Sequence, residues 1–404
     1  MKILQVNCVY QKGSTGKITY DLHKGLQEAG IESVVCYGRG EKIRETGVYK
    51  TCPEWNSKLS HALTKLTGIM YGGEILPTAY LIQTIRREKP DIVHLQCING
   101  YFVNIYKLLR WLKRHKIKTV LTLHAEFMHT GGCGHALECD RWLTGCGNCP
   151  RWKRETGSLF FDRTAAMHKR MKKAFEGFED HLKVVSVSPW LQDRAAKSPI
   201  LSAMDHSTIF NGLNCDVFHP YDTTDLRQNH GIQNEKILFH ATPAFSSDPA
   251  HIKGGYHIIA LARKLLDEGS NAKIIVAGPY PKDLVLPPNM IMLGRVADQA
   301  LLAQYYSVAD VTVLASKRET FSMICAESLC CGTPVVGFEA GAPERISISE
   351  YSAFVPYGDG EALYGAVETM LKQGKSPEIV MQAVRWYDRR IMTQAYIDLY
   401  RSML

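Results

Sequence analysis

Apolar and polar positions alternate along this chain at two different periods. Short runs rich in Val, Ile and Leu are separated by longer segments with a helical spacing of apolar residues. The clearest runs are residues 3–6, 33–37, 91–95, 119–123, 183–187, 236–240, 273–277, 310–314 and 333–338. Continuous apolar runs followed by roughly 10 to 15 residues of helical pattern are typical of parallel strands covered on both faces. The pattern therefore predicts an α/β protein with parallel sheets.

The alternation breaks between residues 198 and 220, where turn residues replace the helical pattern. A chain of 404 residues is also too long for one ordinary hydrophobic core. We predict a first domain over residues 1–205, a second over 206–380, and a terminal helical segment, 381–404, that crosses back to the first. Two doubly wound domains facing a cleft would bind ligands at the carboxyl ends of their strands.

Charge is distributed unevenly between the two halves. Residues 1–200 carry 31 Lys and Arg against 18 Asp and Glu, a net +13, whereas residues 201–404 carry 17 against 22, a net −5. A basic half is compatible with a phosphorylated substrate, an anionic membrane or simply a solvated surface. No nucleic-acid-binding signature occurs, so we expect no nucleic-acid partner. Without a secretory segment or an 18-residue apolar run, we expect a cytoplasmic protein, which could sit at the inner face of the membrane.

The strongest chemical pattern follows the eighth predicted strand. Glu319 and Glu327 are eight residues apart, and a helix that starts near residue 320 would place Glu319 in the loop before it. Glu327, inside the helix, could accept hydrogen bonds from the two hydroxyls of a ribose. The backbone N–H groups at the helix start suit a diphosphate, and they belong to Thr320, Phe321 and Ser322. An ordinary amphipathic helix with two surface glutamates is the alternative.

This E-x7-E pattern, followed by C-G-T-P-V-V, resembles the retaining glycosyltransferases of family 4, which have the GT-B fold. Further pieces follow in the family's order: Asn211-Gly212 with Phe218 and Pro220, Lys253-Gly254, Val276-Ala277-Gly278, Gly294, and Gly341-Ala342-Pro343-Glu344. The resemblance implies transfer of a hexosyl unit from a UDP- or GDP-sugar to a hydroxyl. It implies a catalytic role for Glu319, contact of Lys253 with the donor diphosphate, and donor-binding positions at Asn211 and Gly278.

Two departures from the family pattern bear on the diphosphate. The family usually has an arginine shortly before the lysine, but here the stretch is HATPAFSSDPAHIKGG. Lys253 is then the single cation expected from this segment. The glycine often found after the first glutamate is replaced, giving E-T-F-S.

A glycine-rich stretch follows the first predicted strand and comprises Gly13, Ser14, Thr15 and Gly16. It is not an ATP-binding P-loop, because Gln11 stands where the first glycine belongs and Ile18 where Ser or Thr belongs. It resembles the family's loop that closes over the donor phosphates. A tight turn that simply needs small residues is the alternative.

Two histidines end predicted strands of the first half. His124 follows residues 119–123, and in the family a histidine here lies beside the donor sugar, which gives His124 a catalytic position. His94 has the same kind of position with weaker support. A hydrogen-bonded structural histidine is the alternative for both.

Four cysteines lie close together in a glycine-rich segment over residues 131–150: Cys133, Cys139, Cys146 and Cys149. Their C-x5-C-x6-C-x2-C spacing suits a closed structural zinc site, in which His135 could replace one ligand. Disulfides and free thiols are the alternatives. Four cysteines would leave no open position, so a catalytic zinc is not expected.

The acceptor is less well defined. The resemblance suggests a lipid-diphosphate-linked sugar of a surface polysaccharide. Residues 106–118 and 151–175 are basic and amphipathic and could lie on an anionic membrane, and residues 55–76 add apolar positions. Ordinary surface helices are the alternative.

The mechanism has open alternatives as well. No Asp-x-Asp motif occurs in the expected place, so we predict no catalytic metal. A UDP-sugar 2-epimerase of the same architecture and a nucleotide-sugar-binding protein without turnover are the other functions considered.

Overall fold

The computed structural model describes the whole chain, Met1–Leu404, as two compact units. The first unit comprises Met1–Phe210 and Met392–Leu404, and the second comprises Asn211–Ile391. The division thus lies five residues beyond the predicted boundary at 205/206. The chain rejoins the first unit at residue 392 and not at 381, because the helix over residues 377–387 belongs to the second unit.

The first unit contains a seven-stranded sheet with every strand parallel, in the order β3-β2-β1-β4-β5-β6-β7. Its strands are β1 (Lys2–Asn7), β2 (Glu32–Tyr37), β3 (Val48–Lys50), β4 (Ile92–Leu95), β5 (Thr119–Leu123), β6 (Leu182–Ser186) and β7 (Asp205–Thr208). Its helices are α1 (Gly13–Glu28), α2 (Glu54–Thr67), α3 (Ile75–Glu88), α4 (Ile105–Arg114), α5 (Trp152–Thr156), α6 (Thr164–Phe175) and α7 (Pro189–Lys197), with short 3-10 turns at Glu126–His129, Arg141–Leu143 and Glu179–His181.

The second unit contains a six-stranded parallel sheet in the order β10-β9-β8-β11-β12-β13. Its strands are β8 (Ile237–Ala241), β9 (Lys273–Ala277), β10 (Met290–Gly294), β11 (Val311–Leu314), β12 (Val335–Phe338) and β13 (Ser352–Val355). Its helices are α8 (Thr224–Asn229), α9 (Gly255–Asp267), α10 (Gln299–Val308), α11 (Met323–Cys330), α12 (Pro343–Ile346), α13 (Gly360–Gln373) and α14 (Pro377–Tyr387), followed by α15 (Arg389–Met403), which returns to the first unit, and a 3-10 turn at Ser349–Tyr351.

Each of the nine predicted apolar runs overlaps an observed strand, so the prediction of parallel α/β sheets is confirmed. The four strands that the pattern missed are β3, β7, β10 and β13, the two edges of each sheet. These strands are only partly buried, whereas the interior strands are almost wholly buried. An edge strand pairs on one side only and therefore needs no continuous apolar run.

The C-terminal helix α15 docks on the sheet of the first unit through two tyrosines. The Tyr396 hydroxyl lies 2.8 Å from Thr122 Oγ1, and the Tyr400 hydroxyl lies 2.7 Å from His94 Nδ1. Both tyrosines are buried, so these hydrogen bonds satisfy polar groups inside the core. No helix of the chain is both long enough and apolar enough to cross a membrane.

Candidate functional site

Two loops of the second unit meet at the carboxyl ends of its central strands. The loop after β11 and the loop before α9 are joined by a backbone hydrogen bond from Lys317 N–H to the Ile252 carbonyl, 2.8 Å. Lys253 Nζ then lies 2.5 Å from Glu319 Oε1, with 23% and 16% of the two side chains exposed. Two predicted residues, 66 positions apart in sequence, thus form a half-buried ion pair.

Glycine is required directly after this lysine. Gly254 has φ = 68°, in the left-handed region, and a Cβ there would lie 1.9 Å from the Ala315 carbonyl oxygen. No other residue fits this approach of the two loops without moving one of them. Gly254 therefore permits the close approach of the two loops that places Lys253 beside Glu319.

Helix α11 starts later than predicted. It begins at Met323 with Ser322 as its cap, so the expected start near Thr320 is wrong by three residues. Ser322 has φ = 84°, and its Oγ accepts a hydrogen bond from Cys325 N–H at 3.3 Å. Its hydroxyl thereby caps the first turn.

The two residues before this cap are more buried than a phosphate loop suggests. Thr320 and Phe321 are both buried, and the Phe321 ring lies edge-on to Tyr387 at a centroid distance of 6.3 Å. The side chain of Phe321 therefore belongs to the core.

Glu327 lines a cavity of about 390 Å³ at the carboxyl ends of β8 and β9. Its Oε2 accepts a hydrogen bond of 2.8 Å from the hydroxyl of Tyr306, which is itself buried. Gly278 lines the same cavity and packs so tightly that a Cβ would lie 2.3 Å from the Thr242 carbonyl oxygen. The structure thus places Gly278 and Glu327 at one cavity.

Sequence reasoning missed one cation of this cavity. Arg295 lines it directly after Gly294, the strand-end glycine that carried part of the resemblance. Its position after a strand end was the available signal. Asn211, the first residue of the second unit, is buried and is not among the residues that line this cavity.

The glycine-rich stretch of the first unit is helical and is not the loop that we expected. Gly13, Ser14, Thr15 and Gly16 form the first turn of α1. Gln11 N–H donates to the Gly16 carbonyl at 3.0 Å, and a Cβ on Gly16 would lie 3.1 Å from Val9 Cγ2. Gly16 is therefore needed for packing. Gly13 and Ser14 are exposed, and no side chain caps the helix.

The two strand-end histidines differ in surroundings. His94 is fully buried, and its ring nitrogens lie 2.7 Å from Thr122 Oγ1 and 2.7 Å from the Tyr400 hydroxyl, so it has a structural role. His124 follows β5 and keeps partial exposure. Burial lowers the pKa of His124 to about 4, which leaves its imidazole neutral near pH 7.

The four predicted cysteine ligands line one small pocket, of about 10 Å³, with Arg141 and Trp142 among its other walls. None of the twelve cysteines forms a disulfide. Burial raises the pKa of Cys146 to about 11, as expected of a protonated thiol. No group of three or more His, Cys, Asp or Glu side chains is arranged so that it could hold a metal ion. The zinc site stays a prediction from the spacing of the four cysteines.

Glu126, to which the sequence assigned no role, anchors the cysteine-rich segment. This fully buried carboxylate lies 2.6 Å from Arg194 Nε and accepts a hydrogen bond of 2.7 Å from Ala136 N–H. Burial alone would raise the pKa of Glu126, but the neighbouring His129 ring, the Arg194 charge and the Ala136 N–H donor together lower it to about 2. Glu126 therefore stays ionised and holds residues 134–136 against the domain.

Comparison with known proteins adds to this geometry. The profile described as "Glycosyltransferase Family 4" matches residues 15–217, about half of the chain. The profile described as "Glycosyl transferases group 1" matches residues 245–373. Each of the two units therefore matches a glycosyltransferase profile.

Among curated proteins, WcaC of Escherichia coli K12, named for glycosyl transfer in colanic acid biosynthesis, is 23% identical over 372 residues, which cover 86% of this chain and 85% of WcaC. The N-acetyl-alpha-D-glucosaminyl L-malate synthase of Bacillus anthracis is 26% identical over 381 residues, 91% of this chain and 87% of the synthase.

Solved structures agree on the fold. Sucrose-phosphate synthase of Thermosynechococcus elongatus superposes with a TM-score of 0.69 at 16% identity, covering 100% of this chain and 99% of the synthase. Anabaena Alr3699/HepE in complex with UDP-glucose superposes with a TM-score of 0.64 at 16% identity, covering 100% of each chain. These likenesses show the GT-B fold.

Proposed function

Because the chain belongs to glycosyltransferase family 4, we propose that it transfers a hexosyl unit from a UDP- or GDP-sugar to a hydroxyl of a sugar acceptor, with retention at the anomeric carbon. The observation that carries the proposal is the Lys253–Glu319 ion pair, on the loop that leads into the helix bearing Glu327. Lys253 is a cation that could bind a diphosphate, and Glu327 is a carboxylate at a cavity of the size of a nucleoside. The two residues lie on adjoining segments of one unit.

The donor is proposed to bind in two parts. The cavity of about 390 Å³ takes the nucleoside, with Glu327 accepting hydrogen bonds from the ribose hydroxyls. Gly278 lets the backbone approach the nucleotide. Lys253 binds the diphosphate, and Arg295 supplies a second cation, which the segment before Lys253 lacks.

The ion pair has a consequence for catalysis. A diphosphate that reaches Lys253 competes with Glu319 for the ammonium group, which frees the carboxylate to accept hydrogen bonds from the transferred sugar. Lys253 then stabilises the charge that develops on the leaving diphosphate.

We propose front-face substitution for the chemical step. The bond from the anomeric carbon to the diphosphate oxygen breaks, and the acceptor oxygen bonds to that carbon on the same face. The acceptor proton passes to the departing phosphate oxygen, so that no protein base is needed. In the first unit, neutral His124 is proposed to hydrogen-bond to a sugar hydroxyl and the exposed turn from Gly13 through Thr15 to bind phosphate.

The acceptor is proposed to be a lipid-diphosphate-linked sugar of a surface polysaccharide. The support is the basic first half of the chain and the likeness to WcaC, which is named for colanic acid biosynthesis. The reaction is proposed to need no catalytic metal, and activity that persists in excess chelator would support this. Activity restored only by added divalent metal would contradict it.

Donor binding is tested by thermal stabilisation with UDP, GDP, ADP and their common sugars. A nucleotide at a hundred times its dissociation constant adds about 2.7 kcal/mol to the stability of the folded state. We expect a clear shift with one nucleotide family, and none with any of them would contradict the donor site. A free 2-epimer formed without acceptor would identify an epimerase, and donor binding without any product would identify a binding protein.

Metal analysis of the purified protein tests the structural zinc. The spacing predicts about one zinc per chain. The Cys146→Ser variant and the Cys149→Ser variant should each lose this zinc, and the Cys36→Ser variant should retain it. Metal-free, folded protein would instead establish four free thiols.

A further inference from the structure

Helix α2 has its apolar and polar faces exchanged. It buries four polar side chains, Asn56, Ser57, Ser60 and Thr64. Its large apolar side chains are exposed instead: Trp55 by 60%, Leu59 by 51%, Leu63 by 42% and Leu66 by 54%. Positions three or four residues apart lie on one side of a helix, so these four form a continuous stripe. A surface helix normally shows the opposite arrangement.

Two neighbouring segments widen this stripe. On one side, Leu159 N–H donates to the Lys65 carbonyl at 2.8 Å, which places the loop with exposed Phe160 beside the end of α2. On the other side, Leu76, 70% exposed, lines a groove of about 480 Å³ together with Trp55. We call Trp55, Leu59, Leu63, Leu66, Leu76 and Phe160 the α2 surface. A contiguous exposed apolar patch of this kind marks an interaction site.

The basic segments that the sequence suggested for membrane contact are built differently. Helix α4 buries its apolar side chains, including Leu108, Leu109 and Leu112, and α6 buries Met167 and Met171. Their apolar faces are used in the fold. Within residues 106–118 and 151–175, the large apolar side chains that remain exposed are Leu159, Phe160 and Phe161, in the loop beside α2.

The charged residues along α2 and the loop that follows it have one sign. Residues 55–73 contain Lys58 and Lys65 and no acidic residue, and both lysines are exposed. Of the flanking acids, Glu74 is buried and Glu54 is paired with Arg39 and with Lys50. The partner should therefore be apolar and anionic.

We propose that the α2 surface docks this protein on an anionic lipid bilayer, with α2 lying in the interface. Apolar side chains would enter the acyl boundary while the lysines meet lipid phosphates. A second copy of the chain fits less well, because a two-fold contact would bring Lys58 and Lys65 towards their own copies without acidic partners. Docking through the α2 surface is a function separate from sugar transfer, and it does not depend on the donor site.

Vesicle binding tests the proposal. The full chain is incubated with phosphatidylcholine vesicles containing none or 30% phosphatidylglycerol, and the bound fraction is measured by flotation. We expect binding to the anionic vesicles that weakens with added salt. Leu59→Gln with Leu63→Gln should lower the partition constant at least tenfold, and Lys58→Glu with Lys65→Glu by about fivefold per lysine.

Matched controls distinguish binding through the α2 surface from nonspecific binding. Val285→Gln with Met381→Gln replaces exposed apolar residues of the second unit, and Lys197→Glu with Lys282→Glu repeats the charge change elsewhere. Both controls should bind as the wild type. All variants are tested for unchanged melting temperature and for nucleotide-induced stabilisation, so that a failure of docking and a failure of the donor site are distinguishable.

Fluorescence quenching by brominated lipid gives a second readout. Trp55 should be quenched on anionic vesicles, so Trp55→Phe should lose most of the quenching while Trp386→Phe retains it. Equal quenching in both variants, or equal binding of the leucine variants and their controls, would overturn the proposal. So would a lipid-free dimer that Leu59→Gln with Leu63→Gln converts to monomer, because a second copy would then cover the surface.

Discussion

The two units use their polar residues in different ways. In the second unit, predicted residues far apart in sequence contact each other or share a cavity, as do Lys253 with Glu319 and Gly278 with Glu327. In the first unit, His94 is held inside the fold by Thr122 and Tyr400. What the first unit exposes is the apolar stripe of α2.

This difference indicates two kinds of partner. A small polar ligand needs a preformed cavity with a few converging groups, which the second unit has. A large partner needs an exposed surface, which the first unit has.

The largest effect is expected at the ion pair of the second unit. Lys253→Ala should lower kcat by about a thousandfold, because a cation aimed at the leaving group acts mainly in the transition state. The matched control is Lys282→Ala, an exposed lysine of the same unit, which should leave kcat unchanged. Steady-state kinetics with the identified donor measures both. A loss of less than tenfold would mean that Lys253 does not serve the diphosphate, and the contrast between the units would weaken.

The next effect tests whether the buried carboxylate of the first unit is structural. The pKa of Glu126 is lowered from 4.5 to about 2, so its ionised form stabilises the folded state above pH 4.5, and this contribution is lost as the pH falls towards 2. Glu126→Gln should cost about 3 kcal/mol at pH 7 and about half of that at pH 3.

Denaturant unfolding of the wild type and the variant across this pH range measures the difference. Glu41→Gln, an exposed glutamate of the same unit, should show none. A cost that does not change with pH would show that the pKa of Glu126 is not depressed by folding.

How far the sequence predicted this structure depends on burial. The interior strands could be predicted because burial on both faces requires continuous apolar runs. The edge strands β3, β7, β10 and β13 were not predicted because they do not need such runs. The Lys253-Gly254 pair was predicted from the resemblance to the family, and the close backbone approach explains why a glycine follows the lysine. The role of Glu126 could not, since its partners Arg194 and Ala136 are set by tertiary packing alone.

The exposed apolar face of α2 is another feature that could not be predicted from the sequence. Its sequence has helical spacing, but periodicity alone does not say which face of a helix meets the core. The small polar residues of α2 are the buried ones, and this became visible only once the neighbouring segments were placed. The apolar residues of this segment are visible in the sequence, but their exposure to solvent is not.

A pair of glycine substitutions tests how rigid the donor loops are. Gly254 and Gly269 have φ near 70°, but a Cβ on Gly254 would meet the Ala315 carbonyl oxygen, whereas nothing lies within 4 Å of one on Gly269. Gly269→Ala should cost about 1 kcal/mol for its backbone conformation, and Gly254→Ala about 2 kcal/mol more. Thermal unfolding compares them. Equal costs would mean that the two loops separate easily, and that the second unit is less preformed than the contrast assumes.

The smallest effect is expected at the carboxylate of the cavity. Glu327→Ala should weaken donor binding about tenfold, because hydrogen bonds from ribose hydroxyls to a charged acceptor are lost. Tyr306→Phe removes only the hydroxyl that donates to Glu327 Oε2, so it should weaken binding much less while leaving the carboxylate in place. Calorimetric titration with the nucleotide alone measures both without needing an acceptor. If the two variants bind equally, or if Glu327→Ala binds as the wild type, Glu327 supports Tyr306 and does not hold the ribose. The cavity would then have to recognise its nucleoside through Gly278 and Arg295, and the role of Glu327 would be structural, as is that of Glu126 in the first unit.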